Sequence, residues 1–299
     1  MRDTHEFRIV ITSFCNYRCF FCHHEGRIEE STKFLLSPND YAFIASVAKR
    51  LWGWDTITIT GGEPLVSPIY REVCERIARE GISITTVTNA SLLSSPRKFL
   101  AHNRQINVSL HTMDPIVYQK ITGSSYGLQQ TLDTIVSIRD SLPEIEIHLN
   151  ATVIRGYNDS PQEMDRLIQF SNKVNGKAKF VDLASDDQDL VVPCEEIGKN
   201  LTSIGFVKID EGKWQTVFRR NTEHVTVTRC GFSNQNFDRG HRNLFLHPDG
   251  IIVDSYQKDV VVDALREIKG RDTEGLANKI ESYFPPAKES SRRTISNSP

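Results

Sequence analysis

The 299-residue chain is 38% hydrophobic and carries 36 Lys and Arg against 38 Asp and Glu, a formal net charge of -2. That balance offers no basic surface for nucleic acid, and no apolar run approaches the ~20 residues that span a bilayer. The length suits one large α/β domain or a domain with an appendage, and the charged residues 1–6 lack an apolar signal core, so a reducing cytoplasm is the expected location.

In chain order, short β-branched runs alternate with longer amphipathic stretches. Strands are predicted over 7–12, 56–60, 83–88, 105–110, 146–154 and 178–183, and helices over 38–52, 68–79, 96–102, 128–141 and 161–174. Four of these helices follow Ser-Pro (Ser37-Pro38, Ser67-Pro68, Ser95-Pro96, Ser160-Pro161), the pairing of an N-cap hydroxyl with a proline that needs no amide partner. Most strands read as near-continuous apolar runs, as expected of a sheet covered on both faces. Six βα units in series predict an α/β fold, a partial (β/α)6 TIM-type barrel over residues 1–184, with functional groups at the carboxyl ends of its strands.

The rhythm breaks in the acidic link at Asp186, Asp187 and Asp189. A small C-terminal extension covering the substrate is expected over 185–284. Its strands are predicted at 206–209, 216–219, 243–246 and 251–254, with a hairpin turn at Pro248-Asp249-Gly250 and a last helix over 273–283. The polar tail, 285–299, is expected to be disordered.

The chemistry concentrates in Cys15-Asn16-Tyr17-Arg18-Cys19-Phe20-Phe21-Cys22, directly after the first predicted strand. A cubane of four irons ordinarily takes four thiolates. Three on one tight loop leave a corner open. Zinc is the alternative, with His23 or His24 as a fourth ligand, although paired knuckles are the commoner zinc pattern. A disulfide framework is not expected in a chain of this length without a signal peptide. Of the six cysteines, Cys74 falls on an apolar helix face and reads as packing, while Cys194 and Cys230 are too few to hold a second cluster. Gly61-Gly62-Glu63-Pro64 ends the second predicted strand. Alone it reads as a tight βα turn; beside the cysteine loop it reads as part of one site.

These features resemble the radical S-adenosylmethionine (SAM) superfamily, and within it the branch containing the molybdenum-cofactor GTP 3',8-cyclase. The likeness covers about residues 7–182. It is carried by the cysteine run, His23, Glu25 and Gly26, the segment 60–65, Thr88-Asn89, Asn107-Val108-Ser109-Leu110, Asp114-Pro115, Ile121-Thr122-Gly123 and residues 149–158. The resemblance implies that Cys15, Cys19 and Cys22 ligate one 4Fe-4S cluster and that SAM chelates its fourth iron. One electron, from a carrier such as flavodoxin or ferredoxin, then yields a 5'-deoxyadenosyl radical that abstracts hydrogen from a small-molecule substrate. It also implies SAM contacts from Phe21, Gly61, Gly62, Glu63, Pro64, Thr88, Asn89, Ser109 and Asn150, with Glu63 accepting from the SAM ammonium. Asn158 is read as satisfying backbone.

The chain also departs from that branch. The cyclase holds a second cluster with three further cysteines; here Asp238 to His241 offer no cysteine pair and Ser255 stands where the last would fall, so the extension is expected to lack that cluster. Thr58 and His148 replace basic residues, Asn243 and Phe245 fall where arginines alternate, and Arg8 alone keeps its place as a substrate residue. Arg239 and Arg242 are candidate compensating cations. A triphosphate needs several cations. The leading expectation is therefore a radical SAM enzyme acting on a small polar metabolite, a nucleoside, nucleotide or sugar derivative in a biosynthetic pathway. GTP 3',8-cyclase, a peptide-modifying enzyme and a zinc-stabilised binding protein remain as alternatives. His111, His148 and Cys230 are weak catalytic candidates, Cys230 as a hydrogen-atom donor.

Overall fold

The computed structural model describes residues 6–26, 34–212, 214–230, 243–254 and 261–283. Six parallel strands follow one another in sequence order: β1 (Glu6–Val10), β2 (Thr56–Thr60), β3 (Ser83–Thr88), β4 (Gln105–Ser109), β5 (Glu146–Val153) and β6 (Lys177–Asp182). Helices α1 (Pro38–Trp52), α2 (Tyr70–Arg79), α3 (Pro96–Leu100), α4 (Pro115–Thr122), α5 (Leu128–Ser141) and α6 (Pro161–Lys173) connect them. This is the expected α/β partial barrel. Ser160 caps α6 by accepting from the Glu163 amide, and Ser37 shares Asp40 with the first turn of α1. Helix α2 starts at Tyr70 rather than Pro68, because Pro64–Val66 first forms a short 3-10 turn.

Among the described residues one sheet of twelve strands runs through the molecule. After α7 (Cys194–Ser203), β7 (Val207–Glu211), β8 (Gln215–Arg220) and β9 (Glu223–Thr228) extend it beyond β6. At the opposite edge β10 (Asn243–Leu246) pairs parallel to β1, followed by β11 (Ile251–Asp254) and β12 (Val261–Asp263). Helices α8 (Leu265–Gly270) and α9 (Thr273–Tyr283) close the described chain. The segment after residue 184 thus adds strands to both edges of the barrel. Asp238 to Arg242, Ser255 and the tail 285–299 lie outside the described residues.

The expectation of strands apolar on both faces needs correction. β2 reads Thr-Ile-Thr-Ile-Thr, β4 Gln-Ile-Asn-Val-Ser and β5 Glu-Ile-His-Leu-Asn-Ala-Thr-Val, all alternating with period two. Ile57, Ile59, Ile106, Ile147 and Leu149 are fully or almost fully buried against the helices in one continuous core with Ile44, Val73, Ile77, Ile135 and Leu167. The other face carries the polar residues and surrounds a cavity. Apolar surface buried on the outer side, at ~25 cal/mol per Å2, makes the main core, while the inner side carries the polar residues and a small apolar cluster of Val10, Phe245 and Val253. Among the described residues no helix is long and apolar enough to cross a membrane.

Candidate active site

The chain leaves β1 into the cysteine loop, which is tied down on three sides. The Gly62 amide donates to the Thr12 carbonyl at 2.9 Å and the Glu63 amide to the Phe14 carbonyl at 2.8 Å. The Asn89 side chain donates to Asn16 Oδ1 at 2.9 Å, and Asn16 donates to Ser91 Oγ at 2.7 Å. The Arg18 amide donates to the Thr122 carbonyl at 2.9 Å, at the end of α4. Beneath the loop, the Tyr17 and Tyr118 hydroxyls meet at 2.9 Å.

Cys15 and Cys22 are exposed and Cys19 is half-buried, all three with free thiols. The Tyr17 amide is directed at Cys15 Sγ, 3.3 Å, and the His24 amide at Cys22 Sγ, 3.5 Å. Such donors favour sulfur in its anionic, metal-bound form. Partial burial pushes Cys15 up to about 11 and Cys19 to about 12, and raises Cys22 as well. Metal must therefore displace protons on binding. Among the described residues no three His, Cys, Asp or Glu side chains converge closely enough to hold one ion.

The glycine pair has a reason the sequence did not show. A Cβ at Gly61 would lie 2.3 Å from the Thr12 oxygen, and one at Gly62 2.3 Å from the Phe14 oxygen. Gly61 also has φ +148°. The pair is required because this turn packs directly on the backbone entering the cysteine loop.

Glu63 and Pro64 do not line the cavity. Glu63 is fully buried, and its carboxylate accepts from Thr88 Oγ1 (2.7 Å) and the amides of Asn89 (2.7 Å) and Leu65 (3.1 Å). Burial raises it to about 7 despite those donors. Its carboxylate joins the β2 and β3 turns.

A cavity of about 1330 Å3 opens behind the loop. Its wall includes Cys15, Cys19, Phe21, Cys22, Gly61, Gly62, Thr88, Asn89, Ser109, His111, Asn150, Arg8 and Cys230, so the remaining expected site residues except His148 meet there. Ser109, Asn150, Lys179 and Thr226 form one cross-strand row through β4, β5, β6 and β9. Asn150 Oδ1 is buried without a hydrogen-bond partner. Asn158 satisfies backbone, as read from the sequence: it donates to the carbonyls of His111 (2.6 Å) and Thr152 (2.8 Å) and accepts from the Ile154 amide (2.7 Å).

His111 stands edge-on to Phe21, and its Nδ1 accepts from the Thr152 amide at 3.2 Å. Burial lowers it to about 4, so it is neutral near pH 7. His148 does not line the cavity. It sits lower on β5, against Gln105 at 3.3 Å, and burial together with Lys177 and Lys179 lowers it to about 4. Cys230 lines the wall, where its amide donates to Asp182.

Sequence reasoning missed Lys179, Arg229 and Asp182, all on the cavity wall, where Glu25, named from the sequence only as part of the likeness, also lies. The alternation Lys177-Ala178-Lys179-Phe180 was the available signal for Lys179. Arg8 Nε donates to Glu6 at 2.9 Å, and Thr60 Oγ1 donates to Glu25 Oε1 at 2.6 Å. Burial opposes the charge on Arg8, but Glu6 and Glu25 hold it above its ordinary value.

The family model described as the radical SAM superfamily matches residues 9–168. A curated relative from Pyrobaculum aerophilum, named "Probable GTP 3',8-cyclase", is 33% identical over 92% of this chain and 91% of its own length. Another of that name from Thermococcus kodakarensis is 36% identical over 61% of this chain and 58% of its own. Among solved structures, anSMEcpe with bound AdoMet superposes with a TM-score of 0.61 at 12% identity, covering 94% of this chain and 84% of that one. Streptococcus suis SuiB bound to precursor peptide SuiA gives 0.64 at 13% identity, over 93% of this chain and 66% of that one. At these identities the structural likenesses speak for the fold alone.

Proposed function

Because this chain belongs to the radical SAM superfamily, we propose that Cys15, Cys19 and Cys22 hold its 4Fe-4S cluster and that the cavity behind them takes SAM with a small polar metabolite bearing one anionic group. The class envisaged is a nucleotide or sugar derivative. Bound there, cluster and SAM supply a 5'-deoxyadenosyl radical; the chain's own side chains bind, orient and exclude water. The donor set supports this fit: three soft sulfurs on one loop, two with amides directed at them, beside a cavity larger than the ~300–1,000 Å3 of a single small-ligand pocket. Ser109 and Asn150 orient SAM from the strand ends, and Asn150 Oδ1 stands ready to accept from it. Phe21 offers a ring to the adenine. His111, neutral and held by Thr152, packs that ring in place rather than moving a proton.

One observation carries the substrate class. Among the described residues Arg8, Arg18, Lys179 and Arg229 share the cavity wall with Glu6, Glu25, Asp182 and Asp210, four cations against four carboxylates. Such a balance accommodates one phosphate or carboxylate and a set of hydroxyl or amine donors; a triphosphate calls for a net positive wall. The second reading is GTP 3',8-cyclase, favoured by the relative that is 33% identical over 92% of the chain. Anaerobic incubation of reconstituted protein with deuterated candidates, GTP among them, decides between the two. Deuterium in 5'-deoxyadenosine from a monophosphate or sugar derivative and not from GTP supports the first reading; transfer from GTP with a cyclised product establishes the second.

A further inference from the structure

We propose that Glu25 is a specificity-determining residue: its carboxylate accepts a hydrogen bond from a sugar hydroxyl of the metabolite in the cavity and makes that hydroxyl a requirement for binding. This deepens the reading of the cavity as the site of a nucleotide or sugar derivative, and rests on it.

Glu25 lies three residues after Cys22, is only 9% exposed, and lines the cavity. Its backbone is unusual. His24 and Glu25 both have φ of 50°, in the left-handed region that glycine alone adopts freely. One carboxylate oxygen, Oε1, accepts from Thr60 Oγ1 at 2.6 Å. The other, Oε2, is buried without a hydrogen-bond partner among the described residues. An ionised carboxylate has about four acceptor positions, and burying one with a single donor is unfavourable. Backbone strain and an unsatisfied charge on one cavity-lining residue mark a group held ready for a ligand.

Its position selects the donor. The charge of Glu25 acts on Cys22 on one side and on Arg8 on the other, which puts it between the cysteine loop and the β1 wall. Arg8 stands in the field of both Glu6 and Glu25. With its charge countered in this way, the free oxygen is satisfied by a neutral donor, a hydroxyl, and needs no ammonium. Arg8 pairs with Thr58 and Val10 with Thr60, so the residue that holds Glu25 lies two positions beyond Arg8, about 7 Å along the strands. A pentose phosphate spans a comparable length, its phosphate toward Arg8 and a ring hydroxyl toward Glu25. An analogue lacking that hydroxyl leaves the buried oxygen unpaired and is rejected for that reason.

The test titrates full-length reconstituted protein anaerobically, with the cluster oxidised and SAM saturating so that nothing is cleaved. The probes are ribose 5-phosphate, GMP and GTP, each beside its 2'-deoxy and 3'-deoxy forms. At least one probe is expected to bind, and at least about tenfold tighter than one of its deoxy forms. In Glu25→Ala that preference disappears, both forms binding at the weaker affinity. Glu25→Gln keeps the shape and the bond from Thr60, and narrows the preference; it decides the matter should Glu25→Ala fail to load iron. SAM titrated alone should bind wild type and both variants within about twofold. Binding of no probe, binding without preference for a hydroxyl, or a preference unchanged in the variants overturns the proposal. So does a tenfold loss of SAM affinity with the sugar probes unaffected, which gives the carboxylate to the SAM ammonium instead. If the Glu25-dependent preference appears but reduction with SAM yields no 5'-deoxyadenosine, the radical reading fails and the assignment of Glu25 stands.

Discussion

Gly62→Ala tests how the cysteine loop is held. A Cβ there falls 2.3 Å from the Phe14 carbonyl oxygen, 2.5 Å from its carbon and 2.6 Å from the Ser13 oxygen. All three are backbone atoms, so no rotamer change relieves the contact, and the loop must retreat by about 1 Å to reach ordinary packing. Retreat breaks the Gly62–Thr12 and Glu63–Phe14 hydrogen bonds, 2.9 and 2.8 Å in the native turn. Overpacking costs about 1–3 kcal/mol, and each lost hydrogen bond about 1 kcal/mol net, which sums to roughly 3–5 kcal/mol. Urea unfolding of the metal-free protein measures the loss, and iron analysis after reconstitution measures the displaced thiols. Gly270→Ala is the control: nothing lies within 4 Å of its Cβ, and it should be neutral or slightly stabilising. A Gly62→Ala protein within about 0.5 kcal/mol of wild type, loading iron normally, would refute the reasoning.

Three further outcomes are expected. Glu63→Gln places an amide N–H against one of the donors that the carboxylate now accepts from, and should destabilise by about 1–3 kcal/mol. Because burial raises Glu63 from 4.5 to about 7, its carboxyl favours the fold below about pH 4.5 and loses that contribution as pH rises to 7; the variant's stability should be flatter across that window in urea titrations. His111 behaves oppositely: lowered from 6.5 to about 4, it contributes above pH 6.5 and that contribution is lost as pH falls toward 4; His111→Gln should show less acid destabilisation by circular dichroism. Asp40 takes Lys269 Nζ at 2.6 Å and Arg271 at 2.8 Å, tying α8 to α1; Asp40→Asn should cost about 1–3 kcal/mol and lower the calorimetric melting temperature.

The barrel was legible because its signals are local. β2, β3, α1 and α5 have the bounds read from the sequence, and the Ser-Pro starts of α1, α3 and α6 hold. Helix α4 was missed although Asp114-Pro115 announces it, since its eight residues include β-branched Ile, Val and Thr. The interior strand β9 and the edge strand β12 were missed, since pairing with β6 and β8 in the one case and β11 in the other, rather than composition, makes them strands. Period-two alternation shows that a residue has a face but not which face encloses space. That ambiguity hid Lys179, while His148 has the cavity-facing side of β5 but sits lower on the strand than Asn150 and Thr152, which line the cavity. The charge of Glu63 was visible in the sequence while its three donors were not.

The most direct measurement is iron and sulfide analysis of the chain after anaerobic reconstitution, followed by reduction in the presence of SAM. The account predicts about four irons per chain, the content of one cubane, with methionine and 5'-deoxyadenosine formed, and loss of both iron and products in Cys19→Ser. A colourless protein holding a single zinc and leaving SAM intact would contradict it.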